Sequence, residues 1–194
     1  ILNGKKLELQ KLTSRLKLMP SHDSLFLLRN VLTAPRLMYL LRSAPCTDSP
    51  ELPLYDEVLS ATINVDLNDE RWRQASLPVR WGGLGVRSVV LLAPSAYLAS
   101  AASTAELASS LLPARLRDVV DSGIAPATSA WLQQASDPLT STPTALVPVS
   151  SAQRVWDDQC CEVQADKLLH AVVDQVTRAR LLAARSPYSG DWLE

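Results

Sequence analysis

Apolar residues recur at helical spacing along nearly all of this 194-residue chain, in blocks opened or closed by proline. No run alternates long enough to make a strand of more than a few residues. There is no internal repeat and no strand–helix–strand pattern. The fold class that follows is mainly α: an irregular helical bundle with a Gly-rich turn and a Pro-rich loop.

The spacing divides the chain into four stretches. Residues 1–50 form a basic helical segment. Leu7 to Leu18 reads as an amphipathic helix ending before Pro20, and Ser21 caps a second helix with Asp23 in its first turn. That helix carries Phe26, Leu27, Leu28 and Leu32, and Pro35 either kinks it or restarts it. If it is continuous, Arg29 and Arg36 share a face.

Residues 51–135 form a helical linker region. Pro53 opens a helix with Leu54, Val58 and Leu59, and Tyr55, Asp56 and Glu57 read as its surface. Asn68 caps a short helix in which Leu67 and Trp72 form a hydrophobic staple, with Asp69 and Glu70 opposing the positive end of its dipole. An Ala/Ser-rich helix starts near Ser88 and is broken or restarted at Pro94. Pro113 starts a short helix that Gly123 ends.

Residues 136–149, with Pro138, Pro143 and Pro148 among Ser and Thr, make a loop. In residues 150–194, Ser150 to Gln153 offers a capping box. One long helix follows, with its apolar stripe on Cys161, Ala165, Leu168, Val172, Val176, Ala179 and Leu182. Arg178, Arg180 and Arg185 sit near its C-terminal end, as the dipole favours. The ends, Ile1 and Glu194, read as cuts in a longer polypeptide.

Charge is distributed unevenly. The whole chain carries −1, but residues 1–45 hold eight basic side chains against Glu8 and Asp23, a local +6, and the remainder is −7. That asymmetry places a basic face in the N-terminal quarter, or else a solvated helix face beside an acidic neighbour. Cys46, Cys160 and Cys161 are too few and too oddly spaced for a disulfide framework and fit a reducing, intracellular setting, nuclear or cytoplasmic. Residues 88–105 are free of charge, but their Ala and Ser content reads as a buried small-residue helix rather than a membrane span, and no membrane partner is expected.

Arg71 to Ser88 holds four arginines, two tryptophans and three glycines. Glycine permits turns and close backbone approach, and Arg and Trp clamp and stack on polyanions. Arg80 and Arg87 are the phosphate-contact candidates here, and Lys17, Arg29, Asn30 and Arg36 in the N-terminal quarter. Trp72 reads as a core anchor, whereas Trp81, beside Gly82, is open between anchor and stacking platform.

Other chemistry is poorly supported. Gly82 to Gly85 lacks the Gly-Lys-Ser/Thr of a phosphate loop, and no Gly-x-Ser-x-Gly frame is present. Cys160, Cys161 and His170 lack zinc-ligand spacing and read as two buried helix cysteines and a surface histidine. Asp157-Asp158 sits in a half-polar helical context and reads as an exposed patch early in the last helix, not as a catalytic carboxylate pair.

Two segments resemble non-LTR retrotransposon reverse transcriptases. Trp72, Gln74, Ala75, Leu77, Pro78, Val79, Arg80, Gly82, Gly83, Leu84 and Gly85 resemble a segment downstream of the polymerase domain. His22-Asp23-Ser24, Leu27 to Asn30 and Pro35 to Arg42 resemble the thumb that follows the palm. The two lie in the family's order, and Ser186 to Leu193 is similar to a later junction. The resemblance implies a thumb and linker that grip an RNA/DNA template–primer duplex and brace the palm of the parent polypeptide. It also implies that catalytic carboxylates and Mg2+ belong to the palm, so that this chain is inactive by itself and holds no cofactor. The alternatives are a helical protein-interaction or scaffold module, and a degenerate element remnant.

Overall fold

The computed structural model describes residues 1–63, 68–136 and 152–193. It is mainly helical, and the described residues include no strand. The helices are α1 (Leu2–Leu16), α2 (Ser21–Leu27), α3 (Ala34–Ser43), α4 (Glu51–Thr62), α5 (Asp69–Ser76), α6 (Val89–Leu111), α7 (Ala114–Ala135), α8 (Gln153–Ala171) and α9 (Gln175–Ala184). The expected Pro-rich loop lies outside the described residues apart from Ser136, as do Leu67 of the staple and Ser150 and Ser151 of the capping box.

α6 is the axis of the bundle. Its first half packs with α3 and α4, and α1 lies against α4. This core holds Leu9, Leu16, Leu28, Leu37, Leu41, Leu52, Tyr55, Leu59, Val89 and Leu92. Its second half packs with α7 and α8 around Tyr97, Trp131, Trp156 and Cys160. Trp131 and Trp156 meet edge-to-face at 5.2 Å, and the Trp131 indole N–H donates to the Trp156 carbonyl at 3.0 Å. The small side chains Ala93, Ser95, Ala96 and Ala99 are buried, so neighbours approach α6 closely.

α6 runs unbroken through Pro94, contrary to the expected interruption. Proline lacks the N–H that would bond the carbonyl four residues earlier, that of Val90. The Gln134 side-chain amide donates to this carbonyl instead, at 3.3 Å. α7 likewise continues through Gly123 rather than ending there. Gly123 faces Pro45 and Tyr97, and a Cβ on it would stand 2.6 Å from the Tyr97 hydroxyl oxygen, so the glycine serves close packing and not termination.

The helix expected across Pro35 is divided. Leu28–Leu32 is a π turn, and the buried Thr33 leaves helical geometry, so α3 restarts with proline in its first turn. Tyr55 fixes this break by donating to the Leu32 carbonyl at 3.1 Å. Arg29 and Arg36 consequently serve different neighbours. The expected single C-terminal helix is also divided, because the Asp174 carboxylate accepts from the Thr177 amide at 2.7 Å and hydroxyl at 2.6 Å, capping α9. Val176 and Leu182 are then exposed and leave the expected stripe, while Arg178 donates to the Leu169 carbonyl at 2.9 Å near the end of α8.

α4 begins at Glu51, ahead of Pro53, and buries Leu52, Tyr55, Asp56 and Leu59. Tyr55 and Asp56 are therefore core residues, not helix surface; Glu57 is exposed. The Asp56 carboxylate accepts from the Ser88 hydroxyl at 2.5 Å, the Val89 amide at 2.8 Å and the Val90 amide at 3.4 Å. Ser88 in turn accepts from the Leu91 amide. Asp56 thus caps α6 from another helix, where the positive dipole end favours an anion.

Burial nevertheless pushes the Asp56 carboxyl up to about 6 from 3.8, outweighing the Ser88, Val89 and Val90 donors that favour the anion. A carboxyl that is harder to ionise in the folded chain makes folding take up a proton between those values. Its stabilising contribution is fullest below the unfolded value and is lost as pH rises through the folded one. We predict that the unfolding free energy of the parent, relative to Asp56→Asn, falls between about pH 4 and pH 7 by at most about 3 kcal/mol. Urea titrations across that range measure it; parallel profiles for the two proteins contradict it.

Candidate functional site

The Gly-rich segment is a compact turn between α5 and α6, closed by its own backbone. Leu84 N–H donates to the Ala75 carbonyl at 3.1 Å, and Gly85 N–H to that of Leu77 at 2.9 Å. Val79–Trp81 is one 3-10 turn, ended by Gly82 in left-handed geometry. A Cβ on Gly83 would overlap the carbonyl oxygen of Leu77, so this position admits no side chain. Gly85 has φ +76°, and a Cβ there would stand 3.1 Å from Nε of Arg29. The last glycine of one motif thus accommodates the arginine of the other.

The turn docks on α8 through its cations Arg80 and Arg87, and Arg185 at the end of α9 reaches back to Trp81. Arg87 meets Asp157 at 2.5 Å, with side-chain exposures of only 16 % and 13 %. Arg87 also donates to the Cys161 sulfur at 3.4 Å. Burial alone would pull its pKa down, but Asp157 and Cys161 more than offset that and hold it raised. Arg80 pairs with Asp158, which Arg154 also approaches at 3.4 Å. Asp157 and Asp158 are accordingly ion-pair partners in a docking contact, not the exposed patch expected from the sequence. Burial raises the thiols of Cys160 and Cys161 to about 12 and about 11, which suits two buried helix cysteines. His170 is exposed, as expected.

Trp81 is half-buried against the small cluster of Leu77, Cys161, Ala165 and Leu168. Arg185, itself 2.8 Å from Asp166, lies over its ring at 5.2 Å from the centroid. That contact gives Trp81 an anchoring role and occupies one ring face. Trp72 packs against the main core, as expected.

The N-terminal candidates are dispersed. Arg29 donates to the Leu193 carbonyl at 2.7 Å, Asn30 to the Phe26 carbonyl at 3.0 Å, and Arg36 reaches Glu8 at 3.5 Å. Lys6 pairs with Glu51 at 2.8 Å, and Arg42 donates twice to Gln153, at 3.0 and 2.7 Å. Lys11, Arg15 and Lys17 are exposed and have no acidic partner among the described residues. Lys11 and Arg15 are four apart on the solvent side of α1, opposite buried Leu9 and Leu16, and Lys17 follows at its end. Sequence reasoning passed over Lys11 and Arg15, although their separation carried the signal.

Among the described residues no group of three His, Cys, Asp or Glu could hold a metal ion, and no helix is long and apolar enough to cross a membrane. No family model, curated protein or solved structure matches this chain.

The docking pair yields a measurable prediction. Arg87→Met leaves the Asp157 carboxylate nearly enclosed without its cation and costs about 3–5 kcal/mol. Adding Asp157→Leu recovers most of that loss, because no lone buried charge remains. Chemical denaturation of the two single variants and the double variant checks this, and simple additivity of the losses contradicts it.

Proposed function

We propose that this chain is a thumb and linker region of a non-LTR retrotransposon-type reverse transcriptase, and that it grips an RNA–DNA template–primer duplex. The observation that carries the reading is a set of cations along and just past α1: Lys11 and Arg15 on its solvent side and Lys17 after its end are exposed, with no acidic partner among the described residues, in a quarter of the chain that carries +6. Such cations bind phosphates without reading bases, as a polymerase thumb requires for a duplex of any sequence. Supporting it, the two segments that resemble the family pack together, with Arg29 of the first against Gly85 of the second.

Much of the arginine and tryptophan in the Gly-rich segment is engaged inside the fold. In this reading the turn braces the region, and α1 supplies the outward cations. Asn30 and Arg36, exposed but each holding a contact within the chain, are secondary contributors. Template choice and nucleotide addition belong to the palm of the parent polypeptide.

The test is binding of the purified chain to an RNA–DNA hybrid of mixed sequence over a range of salt concentration. Replacing Lys11, Arg15 and Lys17 by alanine weakens binding alike for unrelated sequences. It also lowers the log–log salt slope by roughly two to three units, at about 0.7–0.9 per phosphate contact. An unchanged slope overturns the assignment to α1, and absence of parental binding favours the scaffold reading.

A further inference from the structure

Arginines from three distant parts of the chain meet at one cleft. It has a volume of about 460 Å³ and is lined by Arg29, Pro78, Val79, Arg80, Gly85, Arg87 and Arg154. Arg29 comes from the π turn after α2, Arg80 and Arg87 from the glycine turn, and Arg154 from the first turn of α8. Four guanidiniums therefore border a space whose adjoining carboxylates, among the described residues, are Asp157 and Asp158, an excess of two positive charges among those groups. Cys161 does not reduce that excess, since burial keeps its thiol protonated.

The fold brings the arginines together at some electrostatic cost. Burial lowers the Arg80 pKa first, and the like charges of Arg154 and Arg87 lower it further. Donors also remain unused: Arg87 Nε is buried and has no hydrogen-bond partner among the described residues. A guanidinium carries five N–H groups in a fixed fork, and among the described residues these side chains spend only some of them, on carboxylates, the Cys161 sulfur and the Leu193 carbonyl. Unspent forked donors around a space with excess positive charge match the tetrahedral oxygens of phosphate.

We infer that this cleft is a phosphate-binding site, and that its ligand is a phosphate carried on a nucleic-acid strand. The strand assignment deepens the duplex-gripping reading and rests on it; the phosphate chemistry rests on the cleft alone. Arg29 and Arg154 supply the outer contacts, and Arg80 and Arg87 the inner ones. Asp157 and Asp158 hold the inner pair in place and moderate its charge. The free-ligand source of the same chemistry is a polyphosphate or nucleotide.

The experiment measures pyrophosphate binding to the folded chain by calorimetry, then competition by an RNA–DNA hybrid. Three variants are compared. Arg80→Ala with Arg154→Ala removes two cations that are largely outside the core, and weakens pyrophosphate binding by about tenfold or more. Asp158→Asn removes a neighbouring negative charge and tightens binding, an opposite sign that loss of structure would not produce. The triple alanine variant at Lys11, Arg15 and Lys17 leaves pyrophosphate binding unchanged, which separates the cleft from the α1 face.

Displacement of pyrophosphate by the hybrid supports the strand assignment. Binding of pyrophosphate without displacement, by a chain that still binds the hybrid, overturns it in favour of a free polyphosphate. A chain that binds pyrophosphate but no hybrid supports the phosphate site while the proposed function fails. The site itself is overturned if pyrophosphate does not bind saturably, or binds equally to the parent and to the Arg80/Arg154 variant.

Discussion

The structure depends on how α6 begins. The first amide groups of a buried helix have no partner within the helix, and leaving them orphaned in the core is costly. Asp56 and Ser88 supply those partners together, and Asp56 does so from α4. The contact ties the N-terminal helices to the central one at the residue where the glycine turn ends. The turn is consequently pinned at both ends, by α5 and by α6, and its arginines meet α8 in one register.

From that anchor the two halves of the molecule follow different rules. The N-terminal core is conventional packing of Leu, Val and Tyr, and its surplus cations remain outside. The join between the glycine turn and α8 is ionic as well as apolar. Buried pairs of this kind contribute little net stability compared with apolar packing, but they penalise misplacement heavily because each unpaired charge is expensive. The Arg87–Asp157 contact thus specifies where α8 sits more than it strengthens the fold. One consequence is a shared cationic surface: Arg29 and Arg154, 125 positions apart in the chain, border the same cleft.

Much of the fold was legible in the residues, because helical spacing and local caps are short-range signals. Asn68 caps α5 as its sequence suggested, accepting from the Arg71 amide. Pro35 opens a helix, and the paired cysteines are buried. Most of the misreadings share one cause: a local rule was overridden by a distant partner. Pro94 does not break α6 because Gln134 satisfies the carbonyl it frees, and Gly123 does not end α7 because Tyr97 and Pro45 need its missing side chain. Asp56 is buried because a helix start thirty-two residues later requires a carboxylate. The division at Asp174 was locally visible, since Asp174-x-x-Thr177 is a cap, but the apolar spacing across it masked the signal. At the site, residue types identified the arginines, whereas the aspartates that occupy them lie seventy or more residues away.

The central claim is that this fold presents phosphate-binding cations on α1 and at the glycine turn, while α7 and α9 stay uninvolved. Hydrogen–deuterium exchange of the purified chain, with and without a saturating RNA–DNA hybrid, tests it most directly. The account predicts slowed exchange in α1 and in residues 77–88, with α7 and α9 unchanged. Protection confined to α7 and α9, with α1 and the turn exchanging as in the free chain, would contradict it.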